Sequence, residues 1–338
     1  SRSVIDTFFE SGLDESPYAS NIIDICPVGA LLSKDFLHKA RAWDLDRTPS
    51  VCPNCSQGCN ITLDSRDNLV QRLKPRHNPD VNSYWMCDYG RYRDEWMTRG
   101  AVTLGGGAAG SRLEEPLMKQ DGELRPAAWK DAVTALVDRL RESGGVTIVG
   151  SAFHGNEDNG LLRRLQEVVG GTDAVYRSPR AEDDVPLPGF PKLVRRRDLS
   201  ANGRGLDTLG FQRVGEDDGT GGLAAPTGAL VVLGDALADL PDGFGEGAPL
   251  VVYLGTVDSP ALATADFVLP ITSHAEQEGT FTNFEGRVQR FWPALNPPPM
   301  ARPAWQLYDA FGGLSYPQVG TRGALLNEPV RLAAGEDS

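Results

Sequence analysis

The sequence predicts an α/β fold for the larger part of the chain, preceded by a small cysteine-rich domain. Three short, wholly apolar runs are typical of strands buried on both faces of a parallel sheet. They lie at residues 146–149, 229–233 and 250–254. Two amphipathic segments, within residues 126–140 and 161–169, have the apolar spacing of helices that cover such a sheet. Alternation of these elements indicates the α/β class.

Composition narrows the class of protein further. The 338 residues suffice for two or three domains with at least one sizeable core, and 38 glycines and 24 prolines indicate many loops. A net charge of −13 argues against nucleic acid as a partner and against direct attachment to anionic lipid. No apolar run reaches the length of a membrane span. Clustered cysteines fit a reducing compartment, so the sequence predicts a soluble, cytoplasmic protein.

The elements divide the chain into four predicted units. Residues 1–45 are expected to end a small domain and to include a helix at 34–42, capped by Ser33. Residues 46–104 hold four cysteines and strand-like pieces at 60–64 and 69–74. Residues 105–320 form the α/β domain, and 321–338 form a small-residue, acidic tail. Within this scheme, residues 101–125 are predicted to be a linker.

Inside the α/β domain, glycine and proline mark the predicted helix ends. Pro126 is expected to open a helix, and Gly144-Gly145 to stop it. Gly170-Gly171 closes the second helix. Residues 178–226 show no clear period, so we expect a long loop, the scar of a deletion or disorder.

One glycine pattern is rejected as a site. Gly105-x-Gly107-x-x-Gly110 matches the dinucleotide fingerprint, but no convincing strand precedes it and no long apolar-periodic helix follows it. Both neighbours are required to place a pyrophosphate at a helix N-terminus.

The spacing of four cysteines is the strongest chemical signal. Cys52, Cys55 and Cys59 lie within eight residues, and Cys87 follows at a distance. Four thiolates hold a [4Fe–4S] cluster. A zinc site and structural or redox thiols remain alternatives, although a zinc ribbon more often shows two separated C-x2-C pairs. Ser56 stands where c-type haem attachment requires histidine.

The fifth cysteine lies in Cys26-Pro-Val-Gly-Ala-Leu. A Cys-Pro of this kind supplies the last ligand in ferredoxin-type runs, and that ligand often serves a different cluster from its neighbours. Residues 1–25 contain no Cys or His that could complete such a site. Cys26 is therefore either a lone buried thiol or a ligand whose partners lie upstream of this chain, in which case the chain is a fragment.

The histidines give a weaker signal. His38 and His77 are expected at the surface, whereas His154 and His274 are expected in loops after strands. None has a partner at ligand spacing in the sequence, so a solvated or hydrogen-bonded structural role is predicted for them.

Several segments together resemble the large iron–sulfur subunit, the 75 kDa type, of NADH-quinone oxidoreductase (respiratory complex I). The most specific are Cys26-Pro-Val-Gly-Ala-Leu, Lys39-Ala-Arg-Ala-Trp43, Thr48-Pro-Ser-Val-Cys52-Pro-Asn-Cys55-Ser-Gln-Gly-Cys59 and Val81-Asn-Ser-Tyr-Trp-Met-Cys87-Asp-Tyr-Gly-Arg91. Segments within residues 112–132 and 265–289 resemble the wider molybdopterin-oxidoreductase superfamily.

This resemblance implies a function and a ligand set. The implied fold is a small [4Fe–4S] domain followed by a shortened molybdopterin-oxidoreductase-like α/β domain. Cys52, Cys55, Cys59 and Cys87 would hold one [4Fe–4S] cluster, and Cys26 a second whose other ligands lie upstream. The protein would pass electrons from NADH, by way of the flavin-containing NADH-binding subunit, towards quinone. It would sit among other subunits of the complex I peripheral arm, on the cytoplasmic face of the inner membrane.

Two departures argue against a pterin site. Tyr89 stands where formate-dehydrogenase relatives place a lysine between cluster and pterin, and no cysteine follows Cys87 to ligate molybdenum. The α/β region is also short for a pterin fold. No molybdopterin and no independent catalytic site are therefore expected. A catalytic formate-dehydrogenase-type enzyme and a non-redox zinc scaffold are the alternatives.

Overall fold

A computed structural model describes residues 13, 16–94, 97, 111–171, 173–214, 228–234, 245–258 and 260–307. Its helices and strands, in chain order, are α1 (Asn21–Ile25), β1 (Asp46–Val51), β2 (Asn60–Arg66), β3 (Leu69–Pro75), α2 (Asp88–Arg91), β4 (Leu117–Gln120), β5 (Glu123–Pro126), α3 (Trp129–Glu142), β6 (Val146–Ser151), α4 (Asn156–Val169), β7 (Ala174–Arg177), β8 (Val185–Leu187), β9 (Phe190–Arg195), α5 (Gly203–Thr208), β10 (Gln212–Arg213), β11 (Ala229–Leu233), β12 (Leu250–Gly255), β13 (Phe267–Pro270), β14 (Gly279–Thr282) and β15 (Val288–Phe291). Short 3₁₀ helices lie at Pro260–Thr264, His274–Glu276 and Ala304–Gln306.

The largest sheet has the strand order β10-β7-β6-β11-β12-β13-β4-β5. From β10 to β13 all neighbours are parallel. Numbered along the chain, these parallel strands stand in the order 3-2-1-4-5-6 of doubly wound folds. The α/β prediction is therefore confirmed, and the three predicted apolar strands are the adjacent central strands β6, β11 and β12.

The prediction of a linker at 101–125 is wrong for residues 117–125, because they belong to β4 and β5 at the other edge of this sheet. Strand β4 pairs antiparallel with β13, and β5 pairs antiparallel with β4. Asp121 and Gly122 join them with φ of 51° and 85°. Two left-handed residues form the two-residue turn that best matches strand twist, and Asp-Gly favours it. Residues 101–110, with the rejected glycine pattern, lie outside the described residues.

The two helices predicted in the α/β domain form, but each begins at a different residue from the predicted one. Helix α3 buries Val133, Leu136 and Leu140, as the spacing predicts. It begins at Trp129 and not at Pro126, because Pro126 still pairs with Leu117 in the hairpin. Helix α4 begins five residues before the predicted start at 161. Its first turn is polar, so apolar periodicity does not reveal it.

Two further segments differ from expectation. No helix forms at 34–42: Leu37 N–H donates to the Ser33 carbonyl at 3.0 Å, and His38 then turns to a φ of 71°. A left-handed residue of this kind ends a helical turn.

Residues 178–214 are not a long loop, since they contain the β8–β9 hairpin, α5 and β10. Residues 215–226 lie outside the described residues.

The cysteine-rich part folds around its own small sheet. Strands β1, β2 and β3 pair antiparallel in that order, which confirms the predicted strands at 60–64 and 69–74. Its core is shared with the larger part of the chain, because Leu193, Ala275 and Leu295 pack into it. None of the helices among the described residues is both long and apolar enough to cross a membrane.

Candidate metal centre

Three cysteines are brought together by the loop between β1 and β2. The Cys52 N–H donates to the Cys59 carbonyl at 2.8 Å, which closes the loop on itself. The Gly58 N–H donates to the Cys55 carbonyl at 3.2 Å, and Gly58 adopts a φ of 63°. Glycine takes this left-handed conformation without steric penalty. The tight C-x2-C-x3-C spacing therefore folds as one turn carrying three thiols.

The fourth cysteine arrives from helix α2. Cys87 is its N-cap, and its sulfur accepts a hydrogen bond from Gly90 N–H at 3.3 Å. A side chain on Gly90 would place Cβ 3.0 Å from Cys52 Sγ and 3.5 Å from Cys87 Sγ. The two sulfur atoms therefore lie within about 6.5 Å of each other, a separation that one cubane bridges. Glycine at position 90 leaves the space between them open.

All four thiols are removed from water. Cys52, Cys59 and Cys87 are each 4% exposed, and Cys55 is 3% exposed. Burial is the main cause that raises the pKa of each thiol, and it raises that of Cys87 to about 12. Negative charge on the neighbouring cysteines raises the pKa of Cys52, Cys59 and Cys87 further. Four buried thiols, three of which are further opposed to ionisation by neighbouring thiolate charge, fit a bound cationic group, since iron ligation compensates thiolate charge.

The donor set distinguishes two kinds of metal site. Within the described residues, no group of three or more His, Cys, Asp or Glu side chains is arranged to hold a single metal ion. A cubane makes a different demand, because each of its four irons takes its own thiolate and the four cysteines do not share one ion.

Cys26 lies in a different setting. It is partly exposed, and its neighbours Ile25 and Val28 are 61% and 81% exposed. Backbone N–H groups of the loop that follows, led by that of Leu31, lower the pKa of its thiol. Charge on Cys55 raises the pKa of Cys52, Cys59 and Cys87, whereas the N–H groups that lower the pKa of Cys26 belong to its own loop. The structure thus separates Cys26 from the four-cysteine group in burial and electrostatics.

Amide side chains fasten the cysteine loop to its surroundings. Asn54 Nδ2 donates to the Gly90 and Arg93 carbonyls, both at 3.1 Å, which ties the loop to α2. Gln57 Nε2 donates to the carbonyls of Val81 at 2.9 Å and Lys192 at 3.1 Å. These contacts fix the thiols relative to one another.

The larger part of the chain also supports the loop, which sequence reasoning missed. The Ser56 N–H donates to the Asp198 carbonyl, and the Phe284 N–H donates to the Ser56 carbonyl, each at 2.9 Å. Gln289 Nε2 donates to the Gly58 carbonyl at 2.9 Å. The partners stand more than a hundred residues away, so no local pattern predicts them.

Two tyrosines adjoin the thiols. Tyr89 is half-buried, and the Arg93 guanidinium lies 4.2 Å from the centre of its ring. Tyr18 is buried and accepts a hydrogen bond from Arg195 N–H at 2.8 Å. Burial chiefly raises the pKa of each phenol, and charge on nearby cysteines raises it further.

Three of the four histidines lie where the sequence predicts them, whereas His274, expected in a loop, begins a 3₁₀ helix. His38 and His77 are exposed, whereas His154 follows β6 and His274 follows β13, both buried. His154 Nδ1 lies 3.5 Å from Asp158 Oδ2, and His274 Nε2 lies 3.2 Å from Ser50 Oγ. Burial, with a smaller contribution from His154, lowers the pKa of His274 to about 3, so its ring is neutral at physiological pH.

Replacing Gly58 with alanine is expected to weaken this centre. The new methyl would lie 2.8 Å from Gln289 Oε1 and 3.1 Å from Asn283 Cβ, at a φ of 63°. The left-handed backbone costs about 1–2 kcal/mol and the crowding about 1–3 kcal/mol. Gly122→Ala is the matched control, because its φ is 85° and nothing lies within 4 Å. Urea unfolding should show a greater loss for Gly58→Ala; equal losses would contradict the close packing described.

Two family models match this chain. The Molybdopterin oxidoreductase Fe4S4 domain matches residues 45–98, and Molybdopterin oxidoreductase matches residues 239–313. The first match spans the small sheet and all four grouped cysteines, and the second includes strands β12 and β13 of the large sheet and the separate β14–β15 pair.

Relatives of known name match part of this chain. NADH-quinone oxidoreductase subunit 3 of Thermus thermophilus is 40% identical over 130 residues, 38% of this chain and 15% of that protein. The mitochondrial NADH-ubiquinone oxidoreductase 78 kDa subunit of Neurospora crassa is 37% identical over 164 residues, 48% of this chain and 19% of that protein. The mitochondrial NADH dehydrogenase [ubiquinone] iron-sulfur protein 1 of Solanum tuberosum is 36% identical over 149 residues, 44% of this chain and 19% of that protein.

These matches first indicate the class that the chain resembles: a molybdopterin-oxidoreductase-type α/β protein with an Fe4S4 domain. Within that class, the predicted resemblance to the large iron–sulfur subunit of NADH-quinone oxidoreductase is confirmed. The predicted cofactor, a [4Fe–4S] cluster, is likewise confirmed by the Fe4S4 domain match. The chain covers less than a quarter of the length of each of these three relatives.

Proposed function

We propose that this chain is the electron-transfer iron–sulfur part of an NADH:quinone oxidoreductase. Its grouped cysteines Cys52, Cys55, Cys59 and Cys87 would hold one [4Fe–4S] cluster. The observation that supports the proposal is the burial of all four thiols within the segment that matches an Fe4S4 domain. Relatives named for NADH oxidation with quinone supply the reaction class.

The residues of the chain have defined tasks in this role. Each cysteine takes one iron corner, while the hydrophobic core around them excludes water. Backbone N–H groups such as that of Gly90 donate to sulfur, which favours the charged, ligating form of the thiol. A bound [4Fe–4S] cluster supplies one-electron chemistry at this position.

Cys26 has a separate role in the proposal. It would be the fourth ligand of a second [4Fe–4S] cluster, completed by cysteines that this sequence does not contain. Partial exposure and a loop of N–H groups aimed at its thiol support this, because both suit a ligand shared with another segment.

The remaining surface would serve assembly. The proposed partners are other subunits of the complex I peripheral arm, including the flavin-containing NADH-binding subunit. The proposed place is the cytoplasmic face of the inner membrane, reached only through the complex. The net charge of −13 supports protein partners over nucleic acid.

Electron paramagnetic resonance of the purified complex that contains the full-length protein tests the proposal. After reduction, Cys55→Ser should remove one iron–sulfur signal, and Cys26→Ser should remove a different one while slowing NADH:quinone turnover. The proposal is overturned if Cys55→Ser leaves every signal unchanged, or if the protein purifies apart from any NADH-oxidising subunit.

A further inference from the structure

A segment remote in sequence reaches the cysteine group. Residues 195–197 are three consecutive arginines at the end of β9. Arg196 Nε donates to Gln57 Oε1 at 3.0 Å, and the Asp198 carbonyl accepts a hydrogen bond from Ser56 N–H at 2.9 Å. This segment therefore lies along the cysteine loop and is hydrogen-bonded to Ser56 and Gln57, the two residues that follow Cys55.

The first two arginine side chains are held in place near the thiols. The Arg196 guanidinium lies 3.7 Å from the centre of the Phe284 ring, and its Nη1 lies 3.2 Å from Asp184 Oδ2. The Arg195 guanidinium lies 6.0 Å from the centre of the Tyr89 ring, and Tyr89 is the second residue after Cys87. The Arg195 N–H donates to Tyr18 Oη at 2.8 Å, and Tyr18 packs in the same core as Cys52, Cys59 and Cys87.

The positive charges of Arg195 and Arg196 affect the reduction of a bound cluster. Reducing a cluster adds one negative charge, so fixed positive charge and N–H donors to sulfur stabilise the reduced form. The chain as a whole has a net charge of −13, and this negative charge disfavours the addition of an electron to the cluster. Arg195 has no carboxylate partner among the ion pairs of the described residues, whereas Arg196 is paired with Asp184. Arg195 therefore offers the less neutralised charge.

We propose that Arg195 and Arg196 raise the reduction potential of the cluster held by the four grouped cysteines, both acting through the positive charge of their side chains, which Asp184 partly neutralises in Arg196. This inference rests on the proposed function. It assigns a tuning role to a segment of the larger domain that holds none of the iron ligands.

An EPR-monitored redox titration of the full-length protein tests it. Arg195→Gln should lower the equilibrium constant for reduction about tenfold, which is about 59 mV for a one-electron couple. Arg195→Lys keeps the charge and should restore most of the potential. Arg197→Gln is the matched control, because it removes the same charge from an exposed neighbour and should change the constant much less.

A second variant is expected to shift the reduction potential in the opposite direction. Asp184→Asn removes the carboxylate that neutralises Arg196 and keeps an oxygen to accept the Arg197 N–H, so the potential should rise. The Asp184→Asn variant also tests the inference if the Arg195→Gln protein assembles no cluster. The inference is overturned if Arg195→Gln and Arg197→Gln shift the potential equally, if Arg195→Gln leaves it unchanged with full iron content, or if Asp184→Asn does not raise it. Absence of any cluster in the unaltered protein overturns the proposed function instead.

Discussion

Replacing Cys87 with alanine is expected to abolish cluster binding and to unfold the small cysteine-rich domain. Cys52, Cys59 and Cys87 are themselves part of its core, beside side chains such as Leu73 and Met86. Among the described residues, the regular structure of the small domain itself is a three-stranded sheet and one helical turn. Bound metal at structural sites contributes on the order of 10 kcal/mol to folding, so its loss exceeds what so small a core can replace.

Iron content, thermal unfolding and limited proteolysis measure this effect. Cleavage in Cys87→Ala should occur first within residues 46–94. Cys26→Ala is the matched control, because it removes an equal thiol from a partly exposed loop outside that core and should leave the cluster in place. A Cys87→Ala protein with normal iron content and an unchanged melting temperature would contradict the ligand assignment.

Replacing Arg112 with methionine is expected to destabilise the α/β domain by about 3–5 kcal/mol. Arg112 forms an ion pair with Glu276, and their side chains are only 7% and 2% exposed. Arg112 Nη1 also donates to the Thr256 carbonyl at 2.9 Å, next to the end of β12. Methionine keeps much of the apolar volume and removes the charge, which leaves the Glu276 carboxylate buried without its cation.

Urea unfolding of Arg112→Met and Arg125→Met measures the difference. Arg125 pairs with Asp121 and Glu123 at the surface, where its side chain is 49% exposed. Exposed pairs of this kind contribute less than about 1 kcal/mol. Similar losses of unfolding free energy in the two variants would show that burial does not set the strength of the Arg112–Glu276 pair.

The predictions that are confirmed rest on local sequence patterns. Strands β6, β11 and β12 are apolar runs bounded by polar or glycine-rich sequence, and the four cysteines stand at a recognisable spacing. Both signals are contained in short stretches of sequence, so neither depends on distant contacts. The hairpin at 117–126 also has a local signal, the Asp121-Gly122 pair, although the sequence around it reads as a linker.

The predictions that fail depend on contacts that no window of sequence contains. The helix expected at 34–42 ends within a turn at His38, and exposed Leu37 and Trp43 show that its apolar residues bury little. The β8–β9 hairpin lies in a segment without period, yet it carries Arg196 to Gln57 in the cysteine loop. Such supports of the metal centre come from tertiary packing.

Iron and inorganic-sulfide analysis of the Cys26→Ser protein, combined with EPR after reduction, distinguishes a [4Fe–4S] cluster on the four grouped cysteines from any other metal site. In this variant only Cys52, Cys55, Cys59 and Cys87 remain as thiol ligands in the sequence. We expect about four irons and four sulfides per chain and one paramagnetic signal on one-electron reduction. One zinc per chain with no iron, or iron that persists after Cys55→Ser is added, would contradict this expectation.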